Sequence, residues 1–146
     1  MNRILVWDLP TRLFHWLLAA SFVGAFSIAN TVDDDAQAFR IHMLLGLTAA
    51  VLVVLRAVWG FVGSRHARFR HFAWSPAALV AYVRGAIQGG GRRYAGHNPG
   101  STWAILAMFL LVIGLAFTGI GMGRGHEAAE DVHEVLAYTL AGVVFL

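Results

Sequence analysis

The sequence predicts an all-α membrane protein. We expect an up-down bundle of four transmembrane helices, with the fourth helix incomplete and a short interfacial helix in the cytoplasmic loop. Three observations lead there: the composition, four apolar runs and the placement of arginine. Apolar residues make up 58% and charged residues 13% of the 146 residues, whereas soluble domains carry roughly 25% charged residues. The mean hydropathy of +0.65 agrees. We treat residues 1–146 as one domain.

The four apolar runs define the expected membrane spans. At about 1.5 Å per residue, about 20 residues cross a hydrocarbon core of about 30 Å. We place the spans at about residues 13–29, 41–62, 102–122 and 132–146. The fourth covers only about 22 Å, and a chain end at Leu146 would leave a carboxylate and the last carbonyls unsatisfied in lipid. We therefore expect a C-terminally truncated fragment.

Arginine orients these spans, because basic residues of short loops stay in the cytoplasm. All eleven basic residues are arginines, and six lie between the second and third spans: Arg65, Arg68, Arg70, Arg84, Arg92 and Arg93. The other two connections carry acids, at Asp33 to Asp35 and at Glu127 to Asp131. We expect a multi-pass protein of the bacterial inner membrane with a cytoplasmic N-terminus. A signal peptide over Met1 to Asn30 is a weaker alternative, since three further runs need a membrane anyway.

The cytoplasmic connection, Gly63 to Gly100, contains the expected interfacial helix. Ser75 before Pro76 is typical of a helix N-cap followed by proline at the first helical position, and Gly89 to Gly91 end the helix. Arg84, Arg92 and Arg93 are expected near anionic headgroups. Further along, Asn98 and Pro99 are interpreted as a turn and Ser101 as the N-cap of the third span.

Histidines near the ends of the spans suggest haem. His15, His42 and His133 begin the first, second and fourth spans. Alternating spans put His42 and His133 at the same height near the outer side, where two imidazoles could take both axial positions of one iron. A structural histidine pair is the alternative. With no cysteine in the chain, covalent haem attachment, disulfides and iron–sulfur clusters are excluded.

The second span supplies two further candidates. Gly46 lies one turn after His42, so a flat macrocycle could approach the backbone there. Arg56 lies about 21 Å further inward and about 40° from the face of His42. It should point into the bundle near the height of His15, where a haem propionate would satisfy it. The alternative is that Arg56 snorkels to the headgroups. His15 lacks a partner at its own depth, and position 147 would be the matching site on the face of His133.

Several segments resemble the bacterial dihaem cytochrome b561 family, which includes the cytochrome subunit of membrane-bound nickel–iron hydrogenases. They are RILVWDLPTRLFHW at Arg3 to Trp16, RIHMLLGL at Arg40 to Leu47, LRAVWGFVGSRHARF at Leu55 to Phe69, YAGHNPGS at Tyr94 to Ser101 and VHEVLAYTL at Val132 to Leu140. The resemblance implies a four-helix bundle with two b haems, each held by two histidines. It implies that His15, His42 and His133 are ligands and that a fourth falls just past Leu146, which puts the inner haem in doubt.

The remaining histidines are expected to matter less. His66 and His71 lie in an arginine-rich stretch and are interpreted as surface residues, and His126 as a solvated loop residue. His97 is interpreted as part of a turn, with a quinone contact on the cytoplasmic side as the alternative.

The expected function is transmembrane electron transfer between a periplasmic redox partner and the quinone pool. The partner would be a hydrogenase or a c-type cytochrome, and no nucleic acid is expected. A subunit of this kind need not be a stand-alone enzyme, although quinone oxidoreductase activity fits. The main alternative is a non-redox helical anchor, in which the three histidines form interhelical hydrogen bonds. A proton-coupled transporter is disfavoured, because the predicted spans contain no carboxylate apart from Glu134 near the outer boundary.

Overall fold

The computed structural model describes residues 7–33, 37–90, 94 and 96–145. These residues form five α-helices and a short 3-10 turn, and no strand occurs among them: α1 Leu9–Thr31, α2 Phe39–Val62, the turn Phe69–His71, α3 Pro76–Ile87, α4 Pro99–Met122 and α5 Ala129–Val144. The predicted all-helical architecture is confirmed. Arg3, Asp34, Asp35, Arg92, Arg93 and Leu146, which entered the predictions above, lie outside the described residues.

Within the described part of the chain, three helices are long and apolar enough to cross a membrane: α1, α2 and α4. Their large apolar side chains are mostly exposed, with Trp16 at 69% and Phe61 at 73%. Such surfaces need lipid, because water would penalise them. The fourth apolar run forms α5, which has 16 residues.

The first two spans form an antiparallel hairpin, with hydrogen bonds at one end and a close apolar contact in the other half. Asp8 caps α1 by accepting a hydrogen bond from the Thr11 amide at 2.9 Å, and it also accepts one from the Trp59 indole of α2 at 3.1 Å. In the other half of the hairpin, Gly24 lets Leu45 approach so closely that a Cβ at position 24 would lie 2.9 Å from the leucine. The pairing fixes which residues of α1 and α2 share a level.

Asp8 is held as a carboxylate. Partial burial tends to raise its pKa, but hydrogen bonds from Ser64, Thr11 and Trp59 outweigh burial and lower the pKa to about 2. Because these bonds come from the start of α1 and from the end of α2, the negative charge is part of the joint between the two helices.

The connection after α2 folds back over the end of the bundle where α1 begins and α2 ends. This end is called the inner end, after its predicted cytoplasmic side, and the opposite end is called the outer end. Ala67 and Phe72 are buried, and the turn Phe69–His71 packs against α2. Gly60 lets the Phe69 ring pack there, because a Cβ would overlap the edge of that ring. This segment, residues 63–75, is called the inner cap below.

Proline and an asparagine set the starts of α3 and α4. Ser75 caps α3 as predicted, accepting from the Ala78 amide at 3.3 Å. The prediction that Ser101 caps the third span is wrong. Asn98 is the N-cap and accepts from the Ser101 amide at 2.8 Å, with Pro99 as the first helical residue. Proline favours that first position because it lacks the amide hydrogen that would be left unpaired.

The last two helices form a second antiparallel hairpin. Gly114 faces Leu136 and Gly119 faces His133, so the glycines of α4 receive side chains of α5. Residues of α5 also reach α1. Tyr138 donates a hydrogen bond to the Asn30 side chain at 3.0 Å, and its ring meets Phe26 edge-on. Side chains therefore close the ring of four long helices between α5 and α1.

Candidate functional site

Four helices place one residue each at a common level in the outer half of the bundle. Ala25 lies near the end of α1, His42 near the start of α2, Thr118 near the end of α4 and His133 near the start of α5. Contacts join them in sequence: His42 to Ala25, His133 to Thr118, and the two imidazoles to each other. The antiparallel hairpins bring these distant positions together, as expected for His42 and His133 from their depth.

The His42 ring is held by the neighbouring helix of its own hairpin. Its Nδ1 lies 2.9 Å from the Ala25 carbonyl oxygen, and Phe39 stacks on the ring at a centroid separation of 4.9 Å. A carbonyl can only accept, so Nδ1 carries the hydrogen and donates it. The neutral ring then has its lone pair on Nε2, the form in which histidine binds a metal.

The His133 ring is held in the same way by α4. Its Nδ1 lies 2.8 Å from the Thr118 hydroxyl oxygen, which is also 3.0 Å from the Gly114 carbonyl and 3.1 Å from the Leu115 carbonyl. Because two carbonyls are within reach of the hydroxyl hydrogen, the hydroxyl oxygen is able to accept from Nδ1. In the tautomer with the hydrogen on Nδ1, Nε2 of His133 is again the free nitrogen.

The separation of the two rings suits a shared iron. Their centroids are 6.1 Å apart. Two imidazoles that bind one metal through bonds of about 2 Å have centroids about 6 Å apart. Both rings are half-buried and both present Nε2, so the donor set fits bis-histidine haem. Among the described residues there is no group of three or more histidines and carboxylates for a free metal ion, and a porphyrin, which supplies four nitrogens itself, does not require one.

Gly46 faces open space one turn from His42. No atom lies within 4 Å of the position that a Cβ would occupy. At helical glycines that serve close packing a Cβ would meet a neighbouring side chain, at 2.9 Å for Gly24 and 3.0 Å for Gly114. Gly46 therefore leaves room beside His42 that no other part of the described chain fills.

His15 lies apart from this pair. The described residues show its ring in contact with Trp16 and with no other histidine. Eleven residues along α1, a step that returns to within about 20° of the same face, Phe26 touches Tyr138 of α5. His15 therefore shares the face of α1 that is directed toward α5.

Arg56 is buried, with 5% of its surface exposed, and belongs to the inner half of the bundle. Both terminal nitrogens lie 3.4 Å from the Ala67 carbonyl of the inner cap, and the guanidinium carbon is 5.8 Å from the Phe69 ring centroid. No described carboxylate forms an ion pair with it, although Asp8 attracts it electrostatically. Arg56 thus keeps hydrogen-bond donors for an anion.

His97 lies at the same inner end. The Trp7 ring meets the His97 ring edge-on at a centroid separation of 4.7 Å, and the Phe72 ring is tilted against it at 4.3 Å. Its Nε2 is buried without a hydrogen-bond partner. Burial, followed by the positive charges of Arg56 and His66, lowers its pKa to about 4, so it is neutral near pH 7. The expectation that His97 belongs to a simple turn missed this burial.

The other histidines take no part in either group. His71 is exposed and accepts a hydrogen bond from Arg70 at 3.1 Å, and His126 is exposed in the loop before α5. His66 is half-buried in the inner cap.

Thr118 was missed at the sequence level. A hydroxyl within a glycine-rich apolar helix gives no sign of a partner on the next helix.

A family model described as prokaryotic cytochrome b561 matches residues 6–146. The chain is 29% identical to a probable Ni/Fe-hydrogenase B-type cytochrome subunit of Rhizobium leguminosarum, over 99% of this chain and 68% of that protein. It is 26% identical to proteins with corresponding descriptions from Azotobacter chroococcum, over 87% of this chain and 64% of the relative, and from Escherichia coli K12, over 84% and 61%. The chain thus spans about two thirds of these relatives' length. No solved structure matches it significantly.

Titration of His97 should make the protein less stable in weak acid. Its folded pKa of about 4 lies below the ordinary value of 6.5. The unfolded chain therefore binds the proton first, and stability falls as pH drops from 6.5 toward 4. Thermal unfolding of the detergent-solubilised protein should show this slope, and His97→Gln should flatten it. His126→Gln, at an exposed histidine, is the matched control. Equal slopes in wild type and His97→Gln would contradict the assignment.

Proposed function

Because the chain belongs to the prokaryotic cytochrome b561 family, we propose that it carries electrons across a bacterial cell membrane, between a periplasmic redox partner and the quinone pool. Family membership itself makes it a membrane b-type cytochrome that takes part in electron transfer. The observation that most supports the proposal is the His42–His133 pair, with centroids 6.1 Å apart and both Nδ1 atoms engaged by neighbouring helices. Bound haem supplies the one-electron chemistry.

Each residue of the outer site has a role in this proposal. His42 and His133 would hold the haem iron through Nε2, and the hydrogen bonds at Nδ1 would fix the rings in that tautomer. Gly46 would leave room for the flat macrocycle beside His42. The apolar faces of α1, α2 and α4 exclude water, so the low dielectric of the surroundings helps to set the potential.

The inner half of the bundle is proposed to hold a second haem. His15 would be one ligand, since it lies on the face of α1 that is directed toward α5. Arg56 would bind a propionate, because its guanidinium is buried and has one carbonyl partner at 3.4 Å. A charge-assisted bond to a carboxylate is the stronger arrangement for such a group. The quinone is proposed to bind on the cytoplasmic side, where His97 keeps an unpartnered Nε2.

A hydrogenase is the proposed electron donor, because the relatives are described as hydrogenase cytochrome subunits. A c-type cytochrome is the other periplasmic candidate. The alternative function is a non-redox helical anchor, in which the same imidazole contacts serve only for packing. A Soret band in the purified protein separates the two, since an anchor needs no haem.

Removing either outer ligand should abolish the low-spin bis-imidazole spectrum of one haem. His42→Ala and His133→Ala each delete one axial nitrogen, and His126→Ala is the matched control at an exposed histidine. Because an alanine could also loosen the bundle, Gly46→Leu offers a second test. It fills the space beside His42 without removing a contact, and should likewise displace the haem. Gly142→Leu, at a glycine with equally open surroundings, should not. Unchanged spectra in both histidine variants would exclude the pair as ligands.

Inner-site variants should affect a different haem. We expect His15→Ala to lower haem content while the spectrum of the outer haem persists. Arg56→Gln should weaken retention of the same inner haem, because an uncharged amide binds a propionate less strongly. Haem-to-protein ratio and low-temperature EPR measure the two sites separately. The comparison is decisive where the wild-type protein holds two haems: if His15→Ala then kept both haems and an unchanged spectrum, His15 would not be a ligand.

The orientation can be tested with reporter fusions. A phosphatase that is active only in the periplasm should be inactive when fused after Gly90, in the arginine-rich connection, and active when fused after Asp33. The physical reason is the retention of basic loops in the cytoplasm. A reporter active only in the cytoplasm should give the opposite pattern. Periplasmic activity at Gly90 together with inactivity at Asp33 would reverse the topology.

A further inference from the structure

Thr118 is placed between the backbone of its own helix and the His133 ring. Its hydroxyl oxygen is 3.0 Å from the Gly114 carbonyl, 3.1 Å from the Leu115 carbonyl and 2.8 Å from Nδ1 of His133. If Nε2 of His133 binds a metal, Nδ1 carries the ring hydrogen and donates it to the Thr118 oxygen, whose own hydrogen then goes to a carbonyl. In that tautomer the threonine oxygen accepts a hydrogen bond from the ring that lies across the helix interface.

We propose that Thr118 is a positioning residue that sets the ring orientation of His133 and lowers the reduction potential of the outer haem. The proposal rests on the proposed function, because it takes His133 as an axial ligand. A hydrogen bond accepted from the outer nitrogen of a ligating histidine makes the ligating nitrogen more basic. A more basic ligand stabilises the ferric state relative to the ferrous state, so the potential falls.

The two ligands differ in what holds them, and this difference singles out Thr118. His42 donates to a backbone carbonyl, that of Ala25, which no side-chain substitution can remove. His133 donates to a side chain. Within the described residues, Thr118 is therefore the side chain through which sequence changes can tune the hydrogen bonding of this ligand pair.

Other threonines show that the arrangement is specific. Thr48 and Thr139 donate to the carbonyl four residues earlier at 2.7 Å, are exposed, and contact no histidine. Thr118 makes the same backbone bond but is half-buried against His133. The next residue, Gly119, also receives this ring, since a Cβ there would lie 3.4 Å from its Cε1. Two consecutive residues of α4 thus accommodate one imidazole.

The test compares three variants of the full chain with the wild type in detergent. Thr118→Val keeps the shape and removes the acceptor, Thr118→Ser keeps the hydroxyl, and Thr139→Val is the matched control. In Thr118→Val we expect an upward shift of the outer-haem midpoint potential, altered EPR g values and about tenfold weaker haem retention. Thr118→Ser should restore wild-type values, and Thr139→Val should leave them unchanged. A purely structural role would alter retention or melting temperature without moving the potential.

The outcomes separate this proposal from the one on which it rests. If Thr118→Val binds haem with the wild-type potential and g values, the positioning role is wrong while ligation by His133 stands. If Thr118→Val does not accumulate, Thr118→Ala must show the same upward shift, and a wild-type potential there overturns the role. If His133→Ala keeps the bis-imidazole spectrum, the ligand assignment itself fails and the role of Thr118 fails with it.

Discussion

The structure depends on a constraint at one level of the bundle, where two imidazoles must keep a defined tautomer in an environment without water. Each ring meets that requirement by donating from Nδ1 to the partner helix of its own hairpin, His42 to Ala25 and His133 to Thr118. An Nδ1 hydrogen without an acceptor would be costly in lipid. The hydrogen bonds therefore couple ring orientation to helix packing, and any shift within a hairpin would turn a ring.

Much of this arrangement could be predicted from the sequence, because it follows from helix geometry alone. Apolar runs in a membrane leave helices as the available structure. Antiparallel order then assigns a depth to each residue, which is why His42 and His133 could be paired across about 90 residues of sequence. The inward direction of Arg56 follows similarly from its angular offset from His42, and its side chain is buried.

The contacts that could not be predicted join side chains of different helices, whose positions are not related by the helical repeat. Thr118 and the Asp8–Trp59 bond depend on rotamers and on the close approach of two helices, neither of which leaves a pattern in one sequence. The prediction of where α4 starts was wrong for a different reason. Asn98 and Ser101 are both of residue types that favour the N-cap. Pro99 decides between them, because its fixed backbone angle and missing amide hydrogen suit the first helical position, which makes Asn98 the N-cap.

The two ends of the bundle handle charge differently, which matters for a protein that moves electrons through a low dielectric. The outer level pairs two imidazoles that form no ion pair among the described residues. The inner end combines buried Arg56 with Asp8, whose pKa of about 2 keeps it ionised, and with His97, whose pKa of about 4 keeps it neutral. A positive and a negative charge thus offset each other there near pH 7. Because burial, and after it the positive charges of Arg56 and His66, oppose a proton on His97, the guanidinium of Arg56 is the fixed positive charge that an added electron at the inner end would meet.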